Sequence, residues 1–300
     1  MTRLHALWAL AMLAVAPGRA AAPARTGAGA GTMVVIESRG SQRELAGGQT
    51  DIAVTESVWG DRRSIETDAR LTTASGAPAV RRRHRAILAL DRQVVWNLDL
   101  DDSSYTETSF ALARRFAAAV PAPMKKSEKA LGPGERIAGL PTTRFELRHG
   151  SPSTSGSAKG DSLEYVQDVW VGRGTPAIAR VVAFEGRPQP HGAGLPAAAA
   201  EVARRIDGIP VRVITRVQFP KSFDMTALVH RAISDSAARS MGLDLETRSL
   251  LMGGAEVTSI RVAPLQRDRF EPPARWKKKP GREAEMLEKI KEGRPAAPGR

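Results

Sequence analysis

The sequence predicts an α+β domain, built on antiparallel strands in meander order with helices interposed. Three observations predict it. Apolar residues recur at every second position in "GQTDIAVTESVWG", where Ile52, Val54 and Val58 share one face before a Gly60-Asp61 turn. The same alternation returns in "QVVWNLDL", where Val94, Trp96, Leu98 and Leu100 share a face. Between these sheet segments and later ones the period changes. "SFALARRFAAAVP" sets Phe110, Ala113, Phe116, Ala117 and Val120 at helical spacing, with Ser109 as cap and Pro121 as stop.

The elements follow in order. "TMVVIES" (Thr32 to Ser38) is a β-branched strand, and Arg62 to Ala69 pairs back on the strand before Gly60. "TTASGAPAVRRRHR" reads as a loop. "RAILAL" and "QVVWNLDL" form strands joined at Asp91-Arg92, "DDSS" turns the chain, and Tyr105 to Thr108 starts another strand. After the helix, the sheet resumes in "ERIAGLPTTRFELRHG", where Phe145 and Leu147 alternate with polar residues. "SPSTSGSAKGDS" is a loop and "LEYVQDVWVG" a strand. Thr175-Pro176 is an N-cap with proline at the first helical position, opening a short helix to about Glu185. "AAAAEVARRI" is helical and "GIPVRVITRVQF" is a strand. Met225, Leu228, Val229, Ala232, Ile233 and Met241 then lie near one face of an amphipathic helix, inserted at about 224–241. "ETRSLLMGGAEVTSIRVAPL" reads as a hairpin with Gly253-Gly254 at its tip. "EAEMLEKIKEG" is a short helix in a basic tail.

The chain opens with a leader. Arg3 precedes an apolar run from Leu4 to Val15, broken by Pro17-Gly18 and followed by small residues to Ala22. An apolar run of about 12 residues is too short for a bilayer, which needs ~20. The layout is that of a secretory signal peptide cleaved near Ala20. The expected organisation is a signal peptide at 1–20, a flexible linker at 21–31, one domain at 32–276 and a weakly ordered basic tail at 277–300. The expected location is the periplasm or the exterior, without lipid anchor or transmembrane helix.

There is no cysteine, which excludes disulfides, thiol catalysis and a lipidated N-terminal Cys. The formal net charge is +13, concentrated in Arg81 to Arg85 and in the C-terminal tail. Basic patches serve nucleic acid, anionic lipid or acidic partners. Export and the lack of RNP-like aromatics or zinc-finger spacing argue against nucleic acid.

Tests for chemistry return little. The HExxH, P-loop, GxSxG and SxxK patterns are all absent. "GAGAG" (Gly27 to Gly31) precedes a strand rather than following one, which a dinucleotide loop would do. "DLDDSSYTE" has Asp99, Asp101 and Ser103 as at the start of a calcium loop. It carries Ser104 where the loop needs Gly and Phe110 where it needs Glu, so it reads as a strand end and turn. No catalytic residue, metal or cofactor is expected.

An ordered set of segments carries a resemblance: "VWGDRRSIET", "AILALDRQVVWNLD", "GERIAGLPTTRFEL", "DVWVG", "IDGIPVRVITRV" and "EVTSIRVAPLQRDRFEPPARW". From about Thr32 to Trp276 the chain resembles an uncharacterised exported bacterial family related in fold to the LolA and LppX lipoprotein carriers. The resemblance implies a curved antiparallel half-barrel with helices on its concave face, and a groove that holds acyl chains. Trp59, Trp96, Phe110, Phe116 and Trp170 are then the groove candidates. Arg81, Arg82, Arg83, Arg85, Lys277, Lys278 and Lys279 are candidates for contact with an anionic surface. The expected function is that of a monomeric, non-enzymatic binding protein for a lipid, a lipoprotein acyl chain or another apolar ligand. An envelope interaction or sensor module with a self-filled core, partnered by another protein, is the alternative.

Overall fold

Alternating apolar residues and short turns generate two runs of locally paired strands, which the long-range β1–β12 pair joins into one sheet. In the computed structural model the described residues are 31–43, 48–72, 79–119, 124–150, 163–190, 195–221, 223, 225 and 242–281. The leader, the linker up to residue 30, the inserted helix apart from Met225, and the predicted helix at 283–293 lie outside them.

The first strands are β1 (Thr32–Arg43), β2 (Gln49–Trp59), β3 (Arg62–Thr72), β4 (Val80–Ala89), β5 (Val94–Asp99) and β6 (Ser104–Ser109). They pair in meander order, each antiparallel to the next. Helix α1 (Phe110–Ala119) follows, capped as expected by Ser109, whose hydroxyl accepts from the Leu112 N–H at 3.2 Å. Next come β7 (Met124–Ile137), β8 (Leu140–Gly150) and β9 (Glu164–Gly172). The β7–β8 hairpin turns on Ala138 and Gly139, both at positive φ, which suits a two-residue loop between twisted strands. Helices α2 (Pro176–Glu185) and α3 (Leu195–Arg205) precede β10 (Ile209–Gln218), β11 (Leu243–Asp244), β12 (Ser249–Pro264) and β13 (Lys277–Lys278). Thr175 caps α2 as the sequence predicts, with Pro176 in its first turn.

The strands form a 13-stranded sheet in the order β13-β6-β5-β4-β3-β2-β1-β12-β10-β9-β8-β7, with β11 beside β12. β13 joins β6 in parallel and the other pairs are antiparallel. Strands make up 60% of the structure and helices 16%. This corrects the expectation of an α+β antiparallel half-barrel. The chain is mostly β, its single sheet is mixed, and the sheet is unclosed, with β7 and β13 at its two ends. Three segments account for the excess of strand. The Arg81 to Arg85 run, expected in a loop, belongs to β4. β7 extends back to Met124, where no strand was expected. The expected Gly253-Gly254 hairpin does not form, because β12 runs straight through both glycines for 16 residues.

The glycines are needed there for a different reason. β1 and β12 approach so closely that a Cβ on Gly253 would lie 2.4 Å from the Ser41 carbonyl oxygen. A Cβ on Gly40 would lie 2.5 Å from the Gly254 oxygen. Missing side chains therefore let a long central strand keep its partner.

α2 and α3 lie on the same face of the sheet, here called the inner face. α2 buries Ile178, Val181 and Phe184 against Val34, Ile36, Val58, Val211 and Val257. α3 buries Ala199, Val202 and Ala203 against Phe145, Leu147, Val169 and Val171. Burying one such large apolar side chain contributes about 1.5–3 kcal/mol. The outer face is covered differently. Leu265 to Trp276, including a 3-10 turn at Arg267–Phe270, crosses it as a strap. Phe270 is fully buried with Met33, Val35 and Ala263. Trp276 packs on the cluster of Ile87, Ala89, Trp96 and Leu98. No helix among the described residues is long and apolar enough to cross a membrane.

Candidate ligand groove

Between α2, α3 and the inner face of the sheet runs a groove with a cavity of about 230 Å³. Its walls are mostly apolar, with Ile36, Val54, Ile65, Val181, Ala199 and Val211 among the lining residues. They reach it because strand register places alternate residues of β1, β2, β3 and β10 on one face.

Charged residues interrupt this register in the floor. Glu56 lies two residues before Val58 on β2, and Arg63 two residues before Ile65 on β3. Both occupy inner-face positions. Glu185 closes the buried stripe of α2, which runs Ala177, Ile178, Val181, Phe184. Arg63 Nη2 donates to Glu56 Oε2 at 2.9 Å, and Nη1 donates to Glu185 Oε1. Arg63 is buried, at 7% side-chain exposure, and Glu56 and Glu185 are mostly covered, at 15% and 13%. Gln189, itself buried, donates to the Phe184 carbonyl at 3.0 Å and reaches Glu185 Oε2 at 3.5 Å.

Burial pushes the Glu185 carboxyl up to about 7. Arg63 opposes the shift, and the nearby Glu56 carboxylate adds to it. Arg204 opposes the shift as well, and the two arginines do not fully offset the cost of burial. Burial also disfavours the Arg63 charge, but Glu185 and Glu56 together outweigh it and hold that pKa above its ordinary value. Three residues of the lining each carry an inaccessible polar atom without a hydrogen-bond partner: Glu56 Oε1, Arg63 Nε and Gln167 Oε1. Gln167 is 1% exposed, and its Nε2 donates to Thr215 Oγ1 at 3.3 Å.

The sequence-predicted groove residues lie elsewhere. Trp59 is on the outer face, its ring 5.8 Å from that of Phe270. Trp96 is outer too. Its indole donates to Glu107 Oε2 at 2.9 Å, and the ring packs in the cluster that includes Trp276. Trp170 is held between the Arg144 and Arg212 guanidinium groups, at 4.9 and 5.2 Å from its ring centre. Phe110 is buried at the start of α1 and does not line the groove. Phe116 belongs to α1, but its side chain lies outside the described ones. Trp59 and Trp96 alternate with inner-face residues on their strands, so strand parity turns them outward, whereas Trp170 packs in the cluster of α2 without lining the groove. The polar floor carries no aromatic residue and no motif spacing to mark it in the sequence. The signal that would have found it is a charged residue in an apolar register.

The expected basic surface is largely neutralised by neighbours. Arg81 pairs with Asp68 at 2.5 Å, Arg83 with Asp101 at 2.9 Å and Arg85 with Glu66 at 2.7 Å. Asp68 and Asp101 have lowered pKa values, chiefly through hydrogen bonds from Arg81 and from the Arg83 backbone respectively. Arg82 points to the opposite face of β4 from these three and is exposed. Lys277 and Lys278 are not loose tail residues, since they form β13 against β6. Lys278 reaches Glu107 at 3.1 Å, and Lys279 pairs with Asp102. The "DLDDSS" stretch is a turn, as its sequence suggests. Asp99 Oδ1 accepts from the Asp101 and Asp102 N–H groups, both at 3.1 Å.

Compared with known protein families and with curated proteins, the chain matches none.

Proposed function

We propose that this chain is an exported, non-catalytic binding protein that holds an apolar chain in the groove between the sheet and helices α2 and α3. The observation that carries this reading is the groove itself, whose walls are apolar while the helices that flank it leave space between them. An apolar surface left open in a folded protein is unfavourable unless something covers it. The leader, with Arg3, the Leu4 to Val15 run and the small residues at Ala20, supports export.

The test is native mass spectrometry with lipid extraction on the processed protein purified from a bacterial periplasm. A stoichiometric bound lipid is the expected result, and Ala200→Trp, which fills the groove from a partly exposed position on α3, should abolish it while circular dichroism stays unchanged. A clean unliganded mass, with no binding of added single-chain amphiphiles, overturns the reading.

A further inference from the structure

We infer that filling the groove with an apolar chain is coupled to uptake of a proton by the charged cluster in its floor, so that the protein holds its occupant more tightly below neutral pH than above it. This rests on the proposed binding of an apolar chain in the same groove.

Glu56 of β2, Arg63 of β3, Glu185 of α2 and Arg204 of α3 all line the groove. Arg63 donates to both carboxylates, and Glu185 keeps 13% of its side chain exposed. Water entering an unfilled groove reaches that remaining surface. An alkyl chain lying between the helices and the sheet replaces the water with hydrocarbon. A carboxylate that loses water is disfavoured against its neutral form. Glu185 responds first, because burial already holds its pKa at about 7. Glu56 adds to that shift, and Arg63 and Arg204 oppose it.

The other neighbours leave this balance in place. The strands under α2 present Val34, Ile36, Val58, Val211 and Val257 to the helix. The remaining charged residues of the lining are Arg39 on β1, Arg212 on β10 and Glu256 on β12. Arg212 pairs with Glu256 at 2.5 Å and with Glu135. On α2 itself Arg180 donates to the Thr32 carbonyl at 2.9 Å, and Arg187 just beyond the helix pairs with Asp61.

Coupling between two ligands of one protein is reciprocal. A chain that raises the proton affinity of Glu185 is itself bound more tightly, by the same factor, once the proton is on. Affinity for an uncharged chain is therefore level well below pH 7. It falls as pH rises through 7, until Glu185 is ionised in the filled protein as well.

The experiment measures 1-decanol binding to the delipidated protein by equilibrium dialysis from pH 6.5 to 8.5. The alcohol carries no charge in this range, so any pH dependence belongs to the protein. His84, whose pKa burial lowers from 6.5, titrates below the range and does not line the groove. Binding should be at least about threefold weaker at pH 8.5 than at pH 6.5. Glu185→Gln keeps the volume but holds no charge, and its affinity should be level across the range. Titration calorimetry at pH 7.5, in phosphate and in Tris, should show net proton uptake on binding to the wild type and none in Glu185→Gln. A wild-type affinity that is level or rises with pH overturns the proton coupling and leaves the chain-binding reading standing. A pH dependence that survives Glu185→Gln does the same. No decanol binding at any pH overturns both.

Discussion

Arg63 of β3 and Glu185, the last residue of α2, form a buried ion pair across 122 residues of sequence. The pair ties the end of a helix to the inner face of the sheet beside the groove. It is an uneasy arrangement for the glutamate. The C-terminal end of a helix carries partial negative charge, Glu56 shares the same arginine, and solvent is excluded.

The first prediction concerns pH. Glu185 has a folded pKa near 7 against an ordinary value of 4.5. Between those values the folded state binds more protons than the unfolded state. This group therefore favours folding at low pH, and that contribution is lost as pH rises from about 4.5 through 7. His84 acts in the opposite sense: burial lowers its pKa, so its contribution is lost as pH falls through the region below 6.5. The comparison that isolates Glu185 is wild type against Glu185→Gln in urea unfolding at pH 5 and pH 8. The variant's advantage should grow with pH. An equal difference at both values would contradict a raised pKa.

A second prediction follows from the charge count. Arg63→Met removes the cation and leaves Glu56 and Glu185 buried around it. At pH 8 this should destabilise the fold by about 3–5 kcal/mol. Combining it with Glu56→Met and Glu185→Met replaces the whole cluster with apolar side chains of similar size, and should recover most of that loss. Chemical denaturation curves of the single and triple variants check both halves.

The outer strap gives a third. Phe270 is fully buried and packs against Trp59. Phe270→Ala should cost about 3–5 kcal/mol, and Trp59 should gain solvent. The readouts are the unfolding midpoint and a red shift of tryptophan emission that Trp59→Phe removes from the variant.

Gly253 supplies the fourth. Its φ is 153°, and an added Cβ would meet backbone of β1 rather than a movable side chain. Gly253→Ala should destabilise by roughly 1–3 kcal/mol through forced separation of β1 and β12. Gly60 has no atom within 4 Å of an added Cβ but a φ of 53°. Gly60→Ala should cost only about 1 kcal/mol, from the left-handed backbone. Amide exchange of Ser41 and Gln42 should accelerate in the first variant and not in the second.

Much of the local structure was legible. The Gly60-Asp61 turn, the Ser109 and Thr175 caps, and the strands at Gln49–Trp59, Glu164–Gly172 and Ile209–Gln218 all follow from short-range rules. Each depends on neighbours a few residues away. The candidate site was much less legible. Arg63, Glu56 and Glu185 come from two strands and a helix, and no spacing within any one segment announces their meeting.

The sequence by itself determined strands such as Gln49–Trp59 and Ile209–Gln218, the turn at Gly60-Asp61, and the caps of α1 and α2. Those outcomes depend on side-chain period, glycine at positive φ and hydroxyl caps, all encoded within one or two turns of chain. Tertiary structure alone decided which face of the sheet α2 and α3 cover, and so whether a tryptophan lines a groove or lies beneath the strap. It also decided that Gly253-Gly254 continues a strand instead of ending one. An alternating pattern defines two faces without saying which is inner. Only the packing of distant elements, and the close approach of β1 to β12, breaks that tie.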